Sequence, residues 1–235
     1  MTDGDEPLKR AALLLEDAGR CQEQGRVEDA EKLIAEAKNL AAGNPQACAE
    51  IDLLHAISLL KANNREEGVR NLSEILAEYA DWFKTPDSRD VYEMVQLQRA
   101  FSLVHLERNE EALPLLEEAL SFQLERAAQS DLHCHLGRCY HERSQYSQAK
   151  EHFERADALG VGDDWRPAFH YYFGYTLYEL KDFQRAKRQF ILCLQSGDSG
   201  PPASMRYAML AETSRKVGEH SEARLYEEKA KSLRR

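Results

Sequence analysis

SQYSQAKEHFERADALG (144–160), LKDFQRAKRQFILCLQS (180–196) and VGEHSEARLYEEKAKSL (217–233) decide how this chain folds. Each opens on a short turn and continues with a small residue, an apolar or aromatic one, and another small one. The leading small residues Ala149, Ala186 and Ala223 fall 37 apart. Self-similarity at this period is the mark of stacked helical hairpins. Such stacks generally bind along an extended surface, so the pattern also frames the functional question.

Working outward, the same small position recurs as Ala30, Gly68, Ala112, Ala149, Ala186 and Ala223, with gaps of 38, 44, 37, 37 and 37. Seven residues later stand Ala37, Ile75, Ala119, Ala156, Cys193 and Ala230. Twelve residues earlier stand Ala18, Ala56, Ala100, Gly137, Gly174 and Ala211. A small side chain at these places lets two helices of one hairpin approach closely. The segments between carry helical spacing, as in Leu132, Leu136, Cys139 and Tyr140 at i, i+4, i+7 and i+8. Short turns such as NNRE (63–66), SQYS (144–147) and GEHS (218–221) separate helices within a hairpin. Longer breaks carry Gly and Pro: GNP (43–45), TPDSRD (85–90), GVGDDWRP (160–167) and SGDSGPP (196–202). Pro45, Pro167 and Pro201 sit where a helix would begin and loses no hydrogen bond to Pro. The 44-residue gap holds seven extra residues that include Trp82 and Phe83. We read these as sealing a stretched joint between the second and third hairpins, with a hinge or an exposed anchor as the alternative.

These features resemble the tetratricopeptide repeat (TPR) family. Its small–x–x–aromatic first helix stands as Gly137-Arg138-Cys139-Tyr140 and, more loosely, as Gly174-Tyr175-Thr176-Leu177. Its Ala–x(3)–Phe–x(2)–Ala second helix stands as Ala149, Phe153, Ala156, and as Ala186, Phe190, Cys193. Repeats four and five match well, while the others are degenerate: Gly68 replaces Ala, and Glu227 stands where an aromatic is expected. The resemblance implies an all-α, right-handed solenoid of about six helix-turn-helix hairpins, about twelve helices. It would form one domain over 1–235, with repeats at roughly 8–43, 45–84, 88–127, 128–160, 164–197 and 201–234.

Composition narrows the function. Residues 1–126 hold 26 acidic and 14 basic side chains, net −12, and 127–235 hold 15 and 17, net +2. That balance argues against a nucleic-acid binder, which needs clustered Lys and Arg to displace counterions. Five scattered cysteines without CxxC spacing suit a reducing compartment. The start MTDGDEPLKR is not a signal peptide, and no apolar run approaches the roughly 18 residues of a membrane span. The chain therefore reads as cytoplasmic and free of membrane.

DLHCHLGRCYH (131–141) offers His133, Cys134, His135, Cys139 and His141, but one straight helix presents only two of these per face. A structural zinc site needs four convergent ligands, so no metal is expected. No HExxH, GxSxG, Walker A or GxGxxG occurs, so neither catalytic residue nor cofactor is expected.

In the family the first helix of each hairpin lines a concave groove. The resemblance assigns to it Leu53, Ile57, Leu60, Leu97, Phe101, Val104 and His105, then Cys134, Arg138 and His141. Tyr171, Tyr175 and Tyr178 follow, then Ala208, Glu212 and Arg215. The three tyrosines form a stripe at i, i+4 and i+7, additional to Phe169, Phe173 and Leu177 on another face. That stripe is either core or an anchor for a partner. The Asn of chaperone-tail clamps is absent, since the position after the small residue reads Gly19, Ile57, Phe101, Arg138, Tyr175 and Glu212. The expected function is a protein–protein adaptor that binds a peptide or helix through Tyr171, Tyr175, Tyr178 and Phe101, with Arg138, His141 and Arg215 giving polar selectivity. Two alternatives are a homo-oligomer pairing its acidic half with the basic end KAKSLRR, and a ligand-responsive regulator.

Overall fold

A computed structural model describes residues 5–197 and 200–234. Among them are twelve α-helices, two short 3-10 turns and no strand. The helices pair as α1 (Asp5–Glu23) with α2 (Val27–Leu40), α3 (Pro45–Lys61) with α4 (Arg65–Glu78), and α5 (Arg89–His105) with α6 (Asn109–Ala119). The second half pairs α7 (Arg126–Glu142) with α8 (Tyr146–Leu159), α9 (Arg166–Glu179) with α10 (Phe183–Gln195), and α11 (Ala203–Lys216) with α12 (His220–Ser232). The fold is the expected all-α succession of six hairpins. It divides into two compact units, one up to Ala119 and one from Leu120.

The repeated small residues are buried in every hairpin. Ala30, Ala112, Ala149 and Ala186 are fully enclosed, as are Ala56, Ala100, Ala37, Ala156 and Cys193. The need for smallness is measurable at Gly137, where an added Cβ would lie 2.6 Å from Phe153 Cε1. At Gly174 the corresponding distance to Phe190 is 3.0 Å. Phe153, Phe169, Phe173 and Phe190 are the largest wholly buried side chains of the second unit.

Each first helix ends in the same way. The residue five before the small position takes a left-handed conformation: Gly25, Asn63, Glu107, Ser144, Lys181 and Gly218, with φ between 58° and 87°. The next residue's N–H then bonds to the carbonyl five residues back, from Arg26 to Cys21, Asn64 to Leu59, Arg108 to Leu103, Gln145 to Tyr140, Asp182 to Leu177 and Glu219 to Ser214. Each bond measures 2.9 Å. This is the Schellman closure, which satisfies an otherwise orphaned helix-end carbonyl. At the turn between α9 and α10 Asp182 adds a side-chain cap, accepting from the Arg185 N–H at 3.3 Å.

In the first unit the extra residues form the two 3-10 turns, Trp82–Lys84 and Pro86–Ser88. Trp82 and Phe83 pack against the cluster of Ala49, Leu53, Leu72, Ile75, Tyr79 and Val95, and Phe83 meets Tyr92 edge-on at 5.5 Å. A polar tie joins the first two hairpins: Lys38 Nζ and the Tyr79 hydroxyl both donate to Asp52 Oδ2, at 2.8 and 2.7 Å. Pro45 opens α3 and Pro167 lies in the first turn of α9, whereas Pro201 precedes α11 by two residues.

Candidate functional site

The first helices of the second unit, α7, α9 and α11, lie side by side and bring an aromatic cluster together. Its centre is His141 on α7. The His141 ring meets Tyr175 edge-on at 5.0 Å, Tyr172 at 5.5 Å and Tyr146 at 5.6 Å. Its Nδ1 lies 2.9 Å from Thr176 Oγ1. The Thr176 hydroxyl also lies 2.8 Å from the Tyr172 carbonyl; when it donates there, His141 Nδ1 is the donor to Thr176 and Nε2 keeps its lone pair. Burial pushes the His141 pKa down to about 4, which leaves the ring neutral at pH 7.

The tyrosine stripe divides along its length. Tyr171 is only 7% exposed and turns its ring towards Phe190 at 6.1 Å. Burial raises its hydroxyl pKa to about 12. Tyr175 and Tyr178 are half-buried, their ring centroids 6.4 Å apart. Tyr178 also packs on Phe183 at 5.3 Å and donates to Glu212 Oε1 at 3.3 Å. Phe169, Phe173 and Leu177 fill the hairpin core, each at most 1% exposed. Tyr175 and Tyr178 therefore stand outside that core, whereas Tyr171 has joined it.

The expected polar residues meet different fates. Arg138 is half-buried, its guanidinium 5.3 Å from the Tyr172 ring centre. Its Nε is enclosed without a hydrogen-bond partner. Arg215 is exposed and held by two carboxylates, Glu212 and Glu227, the latter at 2.7 Å. In the first unit, Phe101 and Ile57 are half-buried and His105 is exposed, but Leu53, Leu97 and Val104 are buried. Cys134 in the second unit is wholly enclosed as well.

The His/Cys cluster disperses as helix geometry requires. His135 is buried against Trp165 at 4.5 Å. Burial lifts the Cys139 thiol to about 12 and the Cys193 thiol to about 11, so both stay protonated and inert. His133 instead finds His152 on α8, Nδ1 to Nδ1 at 3.0 Å, and Tyr140 stacks on His152 at 5.3 Å. Two imidazoles are half a zinc site, and no three His, Cys, Asp or Glu side chains converge among the described residues. Nor is any described helix long and apolar enough to cross a membrane.

Sequence reasoning did not reach Tyr146, Tyr172, Thr176 or His152. Tyr146 opens a second helix and His152 lies on one, so no first-helix pattern selects them. Tyr172 follows Tyr171 directly, and adjacent helical residues point about 100° apart.

Comparison with known proteins places residues 130–159 in the family model described as tetratricopeptide repeat. That span is the α7–α8 hairpin. No curated protein matches the sequence. Among solved structures, PilF of Pseudomonas aeruginosa is 20% identical, with a TM-score of 0.71 over 99% of this chain and 94% of that one. A tetratricopeptide repeat protein from Parabacteroides merdae is 14% identical, with a TM-score of 0.63 over 96% and 80%. MamA (41-end) from Desulfovibrio magneticus is 19% identical, with a TM-score of 0.57 over 80% and 94%. At such identities the likeness is one of fold.

Proposed function

We propose that this chain, a tetratricopeptide-repeat protein by the match at 130–159 and by the fold of its hairpins, is an interaction adaptor that holds a peptide or helical segment of another protein. The supporting observation is the pair Tyr175 and Tyr178, half-exposed beside a core that is already filled. Tyrosine offers a large apolar ring with few rotors to freeze, and its hydroxyl tolerates water. His141 packs edge-on against Tyr175, and Tyr172 packs against His141 in turn. Arg138 stands in the adjoining helix, and Phe101 offers a separate aromatic contact in the first unit.

The test is a double variant, Tyr175→Ala with Tyr178→Ala, compared with wild type in partner capture and in thermal melting. Binding should fall by roughly tenfold or more, as for truncation of interface anchors, with a modest change in stability. Tyr171→Ala should behave in the opposite way, losing about 3 kcal/mol of stability as a buried aromatic truncation does. If the double variant binds as wild type does, the partner face lies elsewhere. The charge difference between the two halves keeps self-association as the second reading, and salt-sensitive oligomers in light scattering would favour it.

A further inference from the structure

The cations expected to give the tyrosine face its selectivity are already committed. Arg215 is held by Glu212 and Glu227, and the Arg138 guanidinium lies over the Tyr172 ring. His141 is neutral, because burial depresses its pKa. Two carboxylates bordering the face are uncommitted, although the exposed Arg143 and Lys181 stand close to them in the chain. Glu142 and Glu179 are both exposed, and neither makes an ion pair or hydrogen bond among the described residues. They occupy equivalent positions 37 residues apart on adjacent first helices. Glu142 directly follows His141, whose ring abuts Tyr175, and Glu179 lies one turn beyond Tyr175 on the same helix face. Both carboxylates act on the Tyr175 hydroxyl, whose proton is held more tightly through burial first, then Glu179, Tyr146 and Glu142. Glu212 at Tyr178 is different, since Arg215 and Lys216 balance it.

We propose that the Tyr175–Tyr178 face receives a basic side chain, Lys or Arg, from a partner segment. Its methylenes lie along the tyrosine rings and its charge sits between Glu142 and Glu179. Ring faces carry the negative end of the aromatic quadrupole, so rings and carboxylates attract the same ligand charge. Two like charges that both act on Tyr175 are relieved when that cation arrives. This inference rests on the Tyr175–Tyr178 face being the docking surface.

The test is selection from a random peptide library displayed on phage, against the full chain, Glu142→Gln/Glu179→Gln and Tyr175→Ala/Tyr178→Ala. Wild type should enrich peptides with Lys or Arg beside an apolar residue. A synthetic copy of one such peptide should bind the Gln variant about three- to tenfold more weakly, and that difference should shrink at high salt. The Gln variant should melt as wild type does, since both side chains are exposed. Enrichment of acidic or uncharged peptides that require the tyrosines, or equal binding of basic peptides to the Gln variant, would overturn the cation assignment and leave the docking face standing. Peptides that bind Tyr175→Ala/Tyr178→Ala as well as wild type, or no enrichment at all, would overturn the docking face and the cation assignment together.

Discussion

Gly137 shows how little room a repeat of this kind leaves at one residue. Its Cα hydrogen faces the Phe153 ring, and that ring is hemmed in by Phe169 at 5.7 Å and Phe173 at 5.6 Å. A methyl group there must push three aromatic rings, which costs more than the helix propensity it adds. Gly137→Ala should therefore destabilise the chain by about 1–3 kcal/mol, read as a lower melting midpoint by circular dichroism. Gly174→Ala, with its neighbour at 3.0 Å, should cost clearly less. Equal losses would mean that the Phe153 ring can step aside. The need for small residues here was readable from the sequence, because the requirement recurs at one relative position in six hairpins. The burial of Tyr171 was not. Residues four apart on a helix differ by about 40° in direction, enough to place Tyr171 against Phe190 while Tyr175 stays half-exposed. A stripe shows that residues share a face but not where the neighbouring hairpin ends.

The hairpin α7–α8 gains a pH dependence that neither helix has alone. His133 and His152 share one proton at most between their Nδ1 atoms, 3.0 Å apart. Burial first, then the neighbouring His133 and Arg155, depress the His152 pKa to about 4, and burial alone does the same to His141. In the unfolded chain both titrate at the ordinary 6.5. Below that pH the unfolded state takes up protons that the folded state refuses. This part of the stability is therefore complete above about pH 6.5 and is lost as the pH falls towards about 4. Thermal melts should drop by about 5 °C over that interval, and His152→Gln should flatten the slope. An unchanged slope in the variant would place the acid sensitivity in other groups. The pairing was illegible beforehand because its members lie 19 residues apart on different helices, and helical spacing speaks only within one helix.

Across the whole molecule, six hairpins follow one plan although their side chains have diverged. The short turns were recognisable in the sequence, but their conformation was signalled only where Gly or Asn stands, at Gly25, Asn63 and Gly218. Asn63 adopts the same left-handed backbone with ease, whereas Glu107, Ser144 and Lys181 adopt it against their own preference. What the repeats conserve most faithfully is a dihedral angle, and it is met with varying ease. The chain thus holds a reserve of stability that its present sequence leaves unused. Glu107→Gly, Ser144→Gly and Lys181→Gly should each add about 0.5–1 kcal/mol in chemical denaturation, because glycine enters that conformation freely. Each turn lies in a different hairpin, so the gains should sum in the triple variant. A triple variant no more stable than wild type would show that these turns are already relaxed. If the gains do sum, the turns act as a dial for thermal tolerance, set by the backbone and separate from the aromatic side chains proposed to meet a partner.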